Sequence, residues 1–462
     1  MKTKIDYFIK EIKGDTLTPI SILKKINGKK KFLLESSHKY NDSGRYSFIG
    51  AEPAFELISR GDRNEILKRN GEKEVLTGNP LEVLKTLIPP RGFEEYPFPF
   101  IGGAVGFVGY DIIRQYEVIG EEFPNGMEMP DVHLMFYEEV IVFDHLQDKV
   151  LICGCPLTKE SDTAVIEKRI ERRIEELKQP TFYPTEEPFN FSGFVSETTK
   201  ETFIKNVEIA KEHILAGDIF QVVLSRRMKS AFNGDPLSLY RQHRANNPTP
   251  YMFYIDYDGY TVIGSSPESL IKTRAQKVIS NPIAGTKRRG KTNEEDLLIE
   301  QELKNDEKEL AEHKMLVDLG RNDLGKICEF GSVQVDKYMA VEKYRHVMHL
   351  VSEVSGHLNS GKTAIDALAA CLPAGTVSGA PKVRAMEIIN SLEKSKRGLY
   401  SGAVGYISAD GNMDFALAIR TTILKEGTAY IQAGAGIVYD SNPESEYQET
   451  INKLNSFLEG EK

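Results

Sequence analysis

Two Glu-x-x-Glu pairs stand out in this chain: Glu309-Leu-Ala-Glu312 and Glu446-Tyr-Gln-Glu449. The second opens just after Asn442-Pro443, a good helix start. Residues at i and i+3 share a helix face, so each pair can turn two carboxylates toward one point. Mg²⁺ prefers carboxylate oxygens plus open positions for water and substrate anions. Two such helices facing each other would form a Mg²⁺ site for a small acid. On a charged surface helix the same spacing is ordinary solvated decoration, and the sequence does not show that the helices meet.

Groups that could hold an anion are scattered. Arg420 ends the apolar run DFALAIR, where a partly buried guanidinium needs an anionic partner. Gln432 to Val438, QAGAGIV, could offer backbone N–H groups or could mark a strand bulge. His346 and His349 lie in RHVMHLVSEV; in a strand their odd separation puts them on opposite faces. Gly285 to Thr292, GTKRRGKT, fits the phosphate-loop pattern G-x-x-x-x-G-K-[ST] letter by letter. Its bulky interior and the acidic helix start Asn293-Glu-Glu-Asp296 argue against a nucleotide. The apparent metal strand Met315-Leu-Val-Asp318 lies within helical spacing. There is no His-Glu-x-x-His and no Gly-x-Ser-x-Gly motif.

The elements that must position these residues read as an α+β fold. With 462 residues, 40% hydrophobic and 27% charged, the chain can bury a large core in two domains or one layered one. A net charge of −9 does not favour nucleic acid or an anionic membrane as partner. No signal-peptide core and no apolar run of about 18 residues is visible. Four scattered cysteines fit neither a disulfide framework nor a zinc site. The expectation is a cytoplasmic, reduced protein. Residues 1–178 read mostly as short strands (KKFLLESS, RYSFIGAEP, AFELIS, VHLMFYEEVIVFD, DKVLICG) closed by a helix from Asp162 to Lys178. Residues 179–198 read as a Pro-rich connector. Residues 199–462 mix strands and helices; the first helix is expected to start at the capping box Thr198-x-x-Glu201 and to stop at Gly217. GGAVGFVGYD at Gly102 and SGAVGYISAD at Ser401 echo each other as glycine-rich strands.

Taken together, NPIAGTKRRG, LPAGTVSGAPKVRAMEII, RHVMHLVS, GAVGY, IQAGAGIVYDSNPESEYQET, LLESS and RYSFIG resemble the chorismate-utilising enzymes. The resemblance spans nearly the whole chain and is densest from about Gly217 onward. It is strongest to the large subunits of anthranilate synthases. It implies antiparallel sheets sandwiched between helices, with the site in a central cleft. It implies Mg²⁺-dependent amination of chorismate at C2, loss of the C4 hydroxyl and elimination of pyruvate, giving anthranilate for tryptophan biosynthesis. On the matching positions, Glu312 and Glu449 would bind Mg²⁺ with Glu309 and Glu446 in support. Gly285 and Thr286 would contact substrate, and Tyr400, Arg420, Gly434, Ala435 and Gly436 would hold the enolpyruvyl carboxylate. Thr376 would line the ring pocket, Lys453 would add positive charge, and His349 would protonate the leaving hydroxyl.

Two positions bear on the branch. C4-aminating relatives, the aminodeoxychorismate synthases, often carry Lys where this chain has Ala284. Isochorismate and salicylate synthases use a Lys base in the segment matching Gly217 to Gln221, where Gln221 has no such basicity. Both favour C2 amination, with C4 amination as the alternative. No glutaminase motif is fused, which implies a separate glutamine amidotransferase subunit in a heterodimer or heterotetramer. LLESS resembles the family's tryptophan feedback site, with Glu35, Ser36, Pro250, Tyr251 and Met252 lining it.

Overall fold

A computed structural model describes residues 7–36, 44–88, 96, 98–180, 188–343 and 347–459. Two large sheets carry it, and every strand pairing among the described residues is antiparallel. One sheet runs from Phe8–Lys13 at its edge through Lys149–Gly154, Glu139–Asp144, Tyr46–Gly50 and Phe32–Glu35. It continues through Tyr251–Asp256, Tyr260–Ser266, Thr421–Lys425 and Thr428–Ile437 to Gln221–Asn233. The other runs from Ile283–Arg288 through Val347–His357, Lys277–Ser280, Ser269–Arg274, Met413–Leu417 and Ala403–Ser408. Gly103–Val108, Val132–Tyr137 and Phe55–Arg60 follow it toward the far edge.

Each sheet draws strands from both sides of residues 179–198. Met252 pairs with Glu35 in one, and Gly405 pairs with Gly106 in the other. The two echoing glycine-rich segments are therefore neighbours in one sheet. A Cβ on Gly106 would lie 2.0 Å from the His133 carbonyl oxygen, and one on Gly405 would lie 2.1 Å from that of Asp414. Glycine is required at both because adjacent backbone fills the space. Two runs read as single strands from sequence are each two strands: MFYIDYDGYTVIGSS is a hairpin that turns at Asp258-Gly259, and VHLMFYEEVIVFD breaks at Glu138, where the chain passes from one sheet to the other. Asp258 takes φ +63 there, which Asp tolerates better than most residues.

The sheets face each other across an apolar, largely aromatic layer that includes Phe32, Phe48, Phe253, Phe107, Met135 and Tyr406. Burial of each such side chain contributes roughly 1.5–3 kcal/mol, which opposes the chain's ordering entropy. Outside one sheet lie helices Pro19–Lys25, Thr163–Lys178 and Pro236–Asn246, through Ile22, Ile166, Ile170 and Tyr240. Outside the other lie Pro80–Leu87, Glu307–Gly325 and Ala364–Cys371, through Leu84, Val317 and Leu368. The result is helices, sheet, sheet, helices, with strands on both inner faces. The expected helix starts hold with one correction. Thr199, not Thr198, caps Lys200–Leu215, because its Oγ1 accepts the Thr202 N–H at 3.2 Å. Met315 to Asp318 lie inside the helix Glu307–Gly325, not in a strand. All four cysteines are buried, and none is in a disulfide. Among the described residues no helix is long and apolar enough to cross a membrane.

Candidate active site

The first half of the GTKRRGKT stretch belongs to a strand, Ile283–Arg288, and does not form a loop around phosphate. Its register against Val347–His357 slips between Ala284 and Thr286. Gly285 sits in the slip at φ +66. A Cβ there would stand 3.2 Å from Glu309 Oε2 and 3.1 Å from a Leu303 methyl. Glycine thus meets both the bulge's left-handed backbone and the close carboxylate. The slip brings Thr286 opposite His349. Thr286 Oγ1 lies 3.0 Å from His349 Nδ1, and the Gly285 carbonyl oxygen lies 3.3 Å from it. A carbonyl can only accept, so the tautomer that uses both contacts has the proton on Nδ1 and leaves Nε2 to exchange one. His346 lies outside the described residues. Farther along, the Gly290 N–H donates to Asp296 at 2.9 Å and the Lys291 N–H to Glu295 at 2.7 Å. The amides that a phosphate would need are held by the first turn of the following helix, Asn293–Asn305.

The two Glu-x-x-Glu helices form as their spacing predicts. Glu309 and Glu312 lie on Glu307–Gly325, and Glu446 and Glu449 on Pro443–Glu459. Asn442 Oδ1 caps the second helix, taking the N–H groups of Glu444 and Ser445 at 3.1 Å each. The Glu309 carboxyl is held above its ordinary range by burial and by the charges of Glu312 and Asp306. Glu446 is raised by burial and by Glu449, against a hydrogen bond from Ser441. The charge of Lys308 is felt at both Glu309 and Glu446. Each helix carries a desolvated carboxyl beside a second carboxylate, and oxygen donors of this kind suit a hard divalent cation. Among the described residues, no three His, Cys, Asp or Glu side chains converge on a single point.

Part of the rest of the predicted set gathers around Lys453 of the same helix. Lys453 pairs with Glu449 at 2.7 Å and donates to the Gly434 carbonyl at 3.0 Å. The Tyr400 hydroxyl packs 2.8 Å from where a Cβ on Gly434 would stand. Ala435 is buried in the same strand, and a Cβ on Gly436 would meet the Gln221 amide nitrogen at 2.9 Å. Arg420 occupies the crossover between Met413–Leu417 and Thr421–Lys425, where the chain changes sheets, at φ +48. Its carbonyl accepts the Ser265 N–H at 3.1 Å. Thr376, in the 3-10 turn Gly375–Val377, donates to Glu268 Oε1 at 2.8 Å.

Glu268 is the group that sequence reasoning missed. Enclosure in the protein pushes its carboxyl up to about 7, against the Thr376 hydrogen bond and the charge of Lys453. Glu268, Thr376, Gly375, Pro282 and Leu319 line one cavity, which joins the Thr376 turn to the base of the Gly285 strand. In SSPESL the Glu has no partner at helical or metal-ligand spacing. Its only signal was a charge inserted between two strands.

A second cavity contains all five residues of the expected regulatory site: Glu35, Ser36, Pro250, Tyr251 and Met252. Tyr240 donates to Glu35 Oε1 at 2.7 Å and Arg244 pairs with the same oxygen. Glu35 Oε2 is buried without a hydrogen-bond partner.

Comparison with known proteins decides the family. The chorismate binding enzyme family matches residues 29–459. The chain is 45% identical over 453 residues to anthranilate synthase component 1 of Lactococcus lactis subsp. lactis, covering 97% of this chain and 98% of that one. The chain belongs to the chorismate-binding enzymes, on the anthranilate synthase component 1 branch. It is 46% identical over 461 residues to anthranilate synthase component 1 of Acetivibrio thermocellus, covering 97% and 93% of the two chains. The crystal structure of anthranilate synthase component I from Streptococcus pneumoniae superposes with a TM-score of 0.83 at 44% identity, covering 97% and 98%. The menaquinone-specific isochorismate synthase of Escherichia coli shares the fold, with a TM-score of 0.74 at 19% identity over 99% and 96% of the chains. The sandwich of antiparallel sheets between helices is therefore the chorismate-utilising fold.

Proposed function

We propose that this chain is the chorismate-converting subunit of an anthranilate synthase, forming anthranilate and pyruvate from chorismate and ammonia. The observation that carries this reading is near-full-length identity of 43–46% to several component 1 enzymes. The site supports it. Chorismate carries two carboxylates, and the cleft offers two anion-holding ends. One lies between the Gly285 bulge and the Glu-x-x-Glu helices, where Glu312 and Glu449, backed by Glu309 and Glu446, would hold Mg²⁺. When bound, that ion would supply charge neutralisation for the ring carboxylate. The other lies at Tyr400, Arg420 and the Gly434–Gly436 backbone, where guanidinium and N–H groups suit the enolpyruvyl carboxylate.

Two groups can handle protons. His349 is oriented through Nδ1 by Thr286 and Gly285, so Nε2 can deliver a proton to the leaving hydroxyl. Glu268, kept protonated near neutrality, is a second donor on the Thr376 side. Ala284 cannot add covalently to the ring and Gln221 cannot deprotonate water, so ammonia itself attacks C2. A separate glutamine amidotransferase subunit supplies it in the complex. The orphan oxygen of Glu35 suits the ammonium group of an amino acid, which supports tryptophan as the inhibitor bound there.

The test is direct. The purified chain is incubated with chorismate, Mg²⁺ and excess ammonium, and products are followed by fluorescence and chromatography. Anthranilate with equimolar pyruvate, abolished by EDTA and restored by Mg²⁺, is expected. Aminodeoxychorismate without pyruvate would move the chain to the C4-aminating branch.

A further inference from the structure

Behind the cleft lies a guanidinium that hydrogen-bonds to none of the proposed substrate-binding residues and yet holds several of them in place. Arg397 is 1% exposed. Its Nε and Nη2 donate to the two oxygens of Glu393 at 2.8 and 2.6 Å. Nη1 donates to the Val377 carbonyl at 2.7 Å and to Ser401 Oγ at 3.4 Å. The second bond from Nη2 reaches the Val223 carbonyl at 2.7 Å. All five N–H groups are used. Its faces lie over the rings of Tyr110 and Tyr400, at 5.0 and 5.7 Å.

These partners are not arbitrary. Val377 ends the turn that carries Thr376. Val223 is paired with Gly436 across the glycine strand. Tyr400 packs against Gly434. Glu393 also takes the Ser225 N–H and hydroxyl at 2.8 and 2.9 Å, and Gln432 donates to that hydroxyl at 2.8 Å. One planar fork therefore fixes the distances among the Thr376 turn, the Tyr400 ring and the Gly434–Gly436 backbone. A buried arginine with one carboxylate is weak evidence for stability. Its four different attachments fit a role in setting geometry.

We infer that Arg397, oriented by Glu393, is a positioning residue that holds the Thr376–Glu268 end and the Tyr400–Gly434 end of the site in register. This rests on the functional reading above. Lys at 397 keeps the charge but cannot reach Glu393, Val377 and Val223 with the fork geometry.

The experiment measures kcat and KM for chorismate with saturating ammonium, together with thermal unfolding, for wild type, Arg397→Lys, Tyr110→Leu and Arg173→Lys. Arg173 is a control: it is equally buried, in an ion cluster with Glu176 and Glu52 far from the cleft. Misplacement of about 1 Å costs about 10²-fold in rate. Arg397→Lys is expected to lower kcat/KM about 100-fold, split between a higher KM and a lower kcat. Arg173→Lys is expected to lower only the unfolding midpoint. Tyr110→Leu removes the ring beneath the guanidinium without touching its hydrogen bonds, and should lower kcat/KM severalfold. Arg397→Lys with kcat and KM within twofold of wild type overturns the positioning role. If Arg397→Lys does not fold, unchanged kinetics in Tyr110→Leu overturn it instead, and a severalfold loss supports it. Wild-type protein that makes no anthranilate would overturn the functional reading, which is a separate failure.

Discussion

Glu268 is held in a state that does not favour folding, and that makes it testable at the scale of a residue. Its folded-state pKa, about 7, lies above the ordinary 4.5. As pH rises through 4.5 the unfolded chain releases this proton first, so stability falls until the folded carboxyl ionises near 7. The full cost above pH 7 is up to about 3 kcal/mol at 1.36 kcal/mol per unit. Glu268→Gln should therefore raise stability in urea at pH 8 while leaving it unchanged at pH 4.5, and should lower kcat by about 10²-fold or more. In wild type, kcat/KM at fixed free ammonia should fall as pH rises through about 7. A variant that is neither more stable at pH 8 nor slower would remove Glu268 from the mechanism. His349→Ala should lower kcat about 10²–10⁴-fold, with chorismate still bound in calorimetry. Unchanged turnover would end its role as proton donor.

At the scale of elements, the Gly285 bulge and the Gly405–Gly106 pair separate two reasons for glycine. In Gly285→Ala the new Cβ meets a carboxylate oxygen and two leucine methyls at 3.1–3.2 Å, all side-chain atoms that can shift a little. The left-handed backbone costs roughly 1–2 kcal/mol. The variant should fold, yet lose about tenfold or more in kcat/KM, because Glu309 and the His349–Thr286 contact move with the bulge. In Gly405→Ala the Cβ would sit 2.1 Å from backbone oxygen inside a sheet, so soluble, cooperatively unfolding protein is not expected. Circular dichroism and thermal unfolding of both variants distinguish the two cases. A Gly285→Ala enzyme of full activity would show that the bulge serves the sheet and not the site.

For the whole molecule, the cavity at Glu35 lies where both sheets meet. Met252 and Phe253 come from one sheet, Tyr406 and Asp414 from the other. The strand Met413–Leu417 lines this cavity and leads directly to Arg420 at the proposed substrate end. A ligand wedged between the sheets can therefore act on the cleft through that strand. Tryptophan should reduce activity with a coupling of about 1–3 kcal/mol. Ser36→Phe, which fills the cavity, should abolish the inhibition and leave the uninhibited rate within about twofold. Persistent inhibition in that variant would place the effector elsewhere.

The sequence by itself determined the local structure and much of the chemistry. Helix caps such as Asn442-Pro443, the helical spacing of the Glu pairs, and the acidic turn after GTKRRGKT depend on residues a few positions apart, and local hydrogen bonds decide them. The motifs also carried the family and, through Ala284 and Gln221, the expected branch. Only the tertiary structure decided which of these residues share a cleft. His349 meets Thr286 because a one-residue register slip turns one strand against another. Lys453 connects Glu449 to Gly434 because a helix lies along a glycine strand. Glu268 showed no periodicity to mark it, since its raised carboxyl comes from enclosure by segments remote in sequence. Arg397 was equally silent, because the carbonyls it holds belong to Val223 and Val377, and carbonyls carry no sequence signature. Burial, register and backbone acceptors arise from long-range packing, and those are the quantities that set this site.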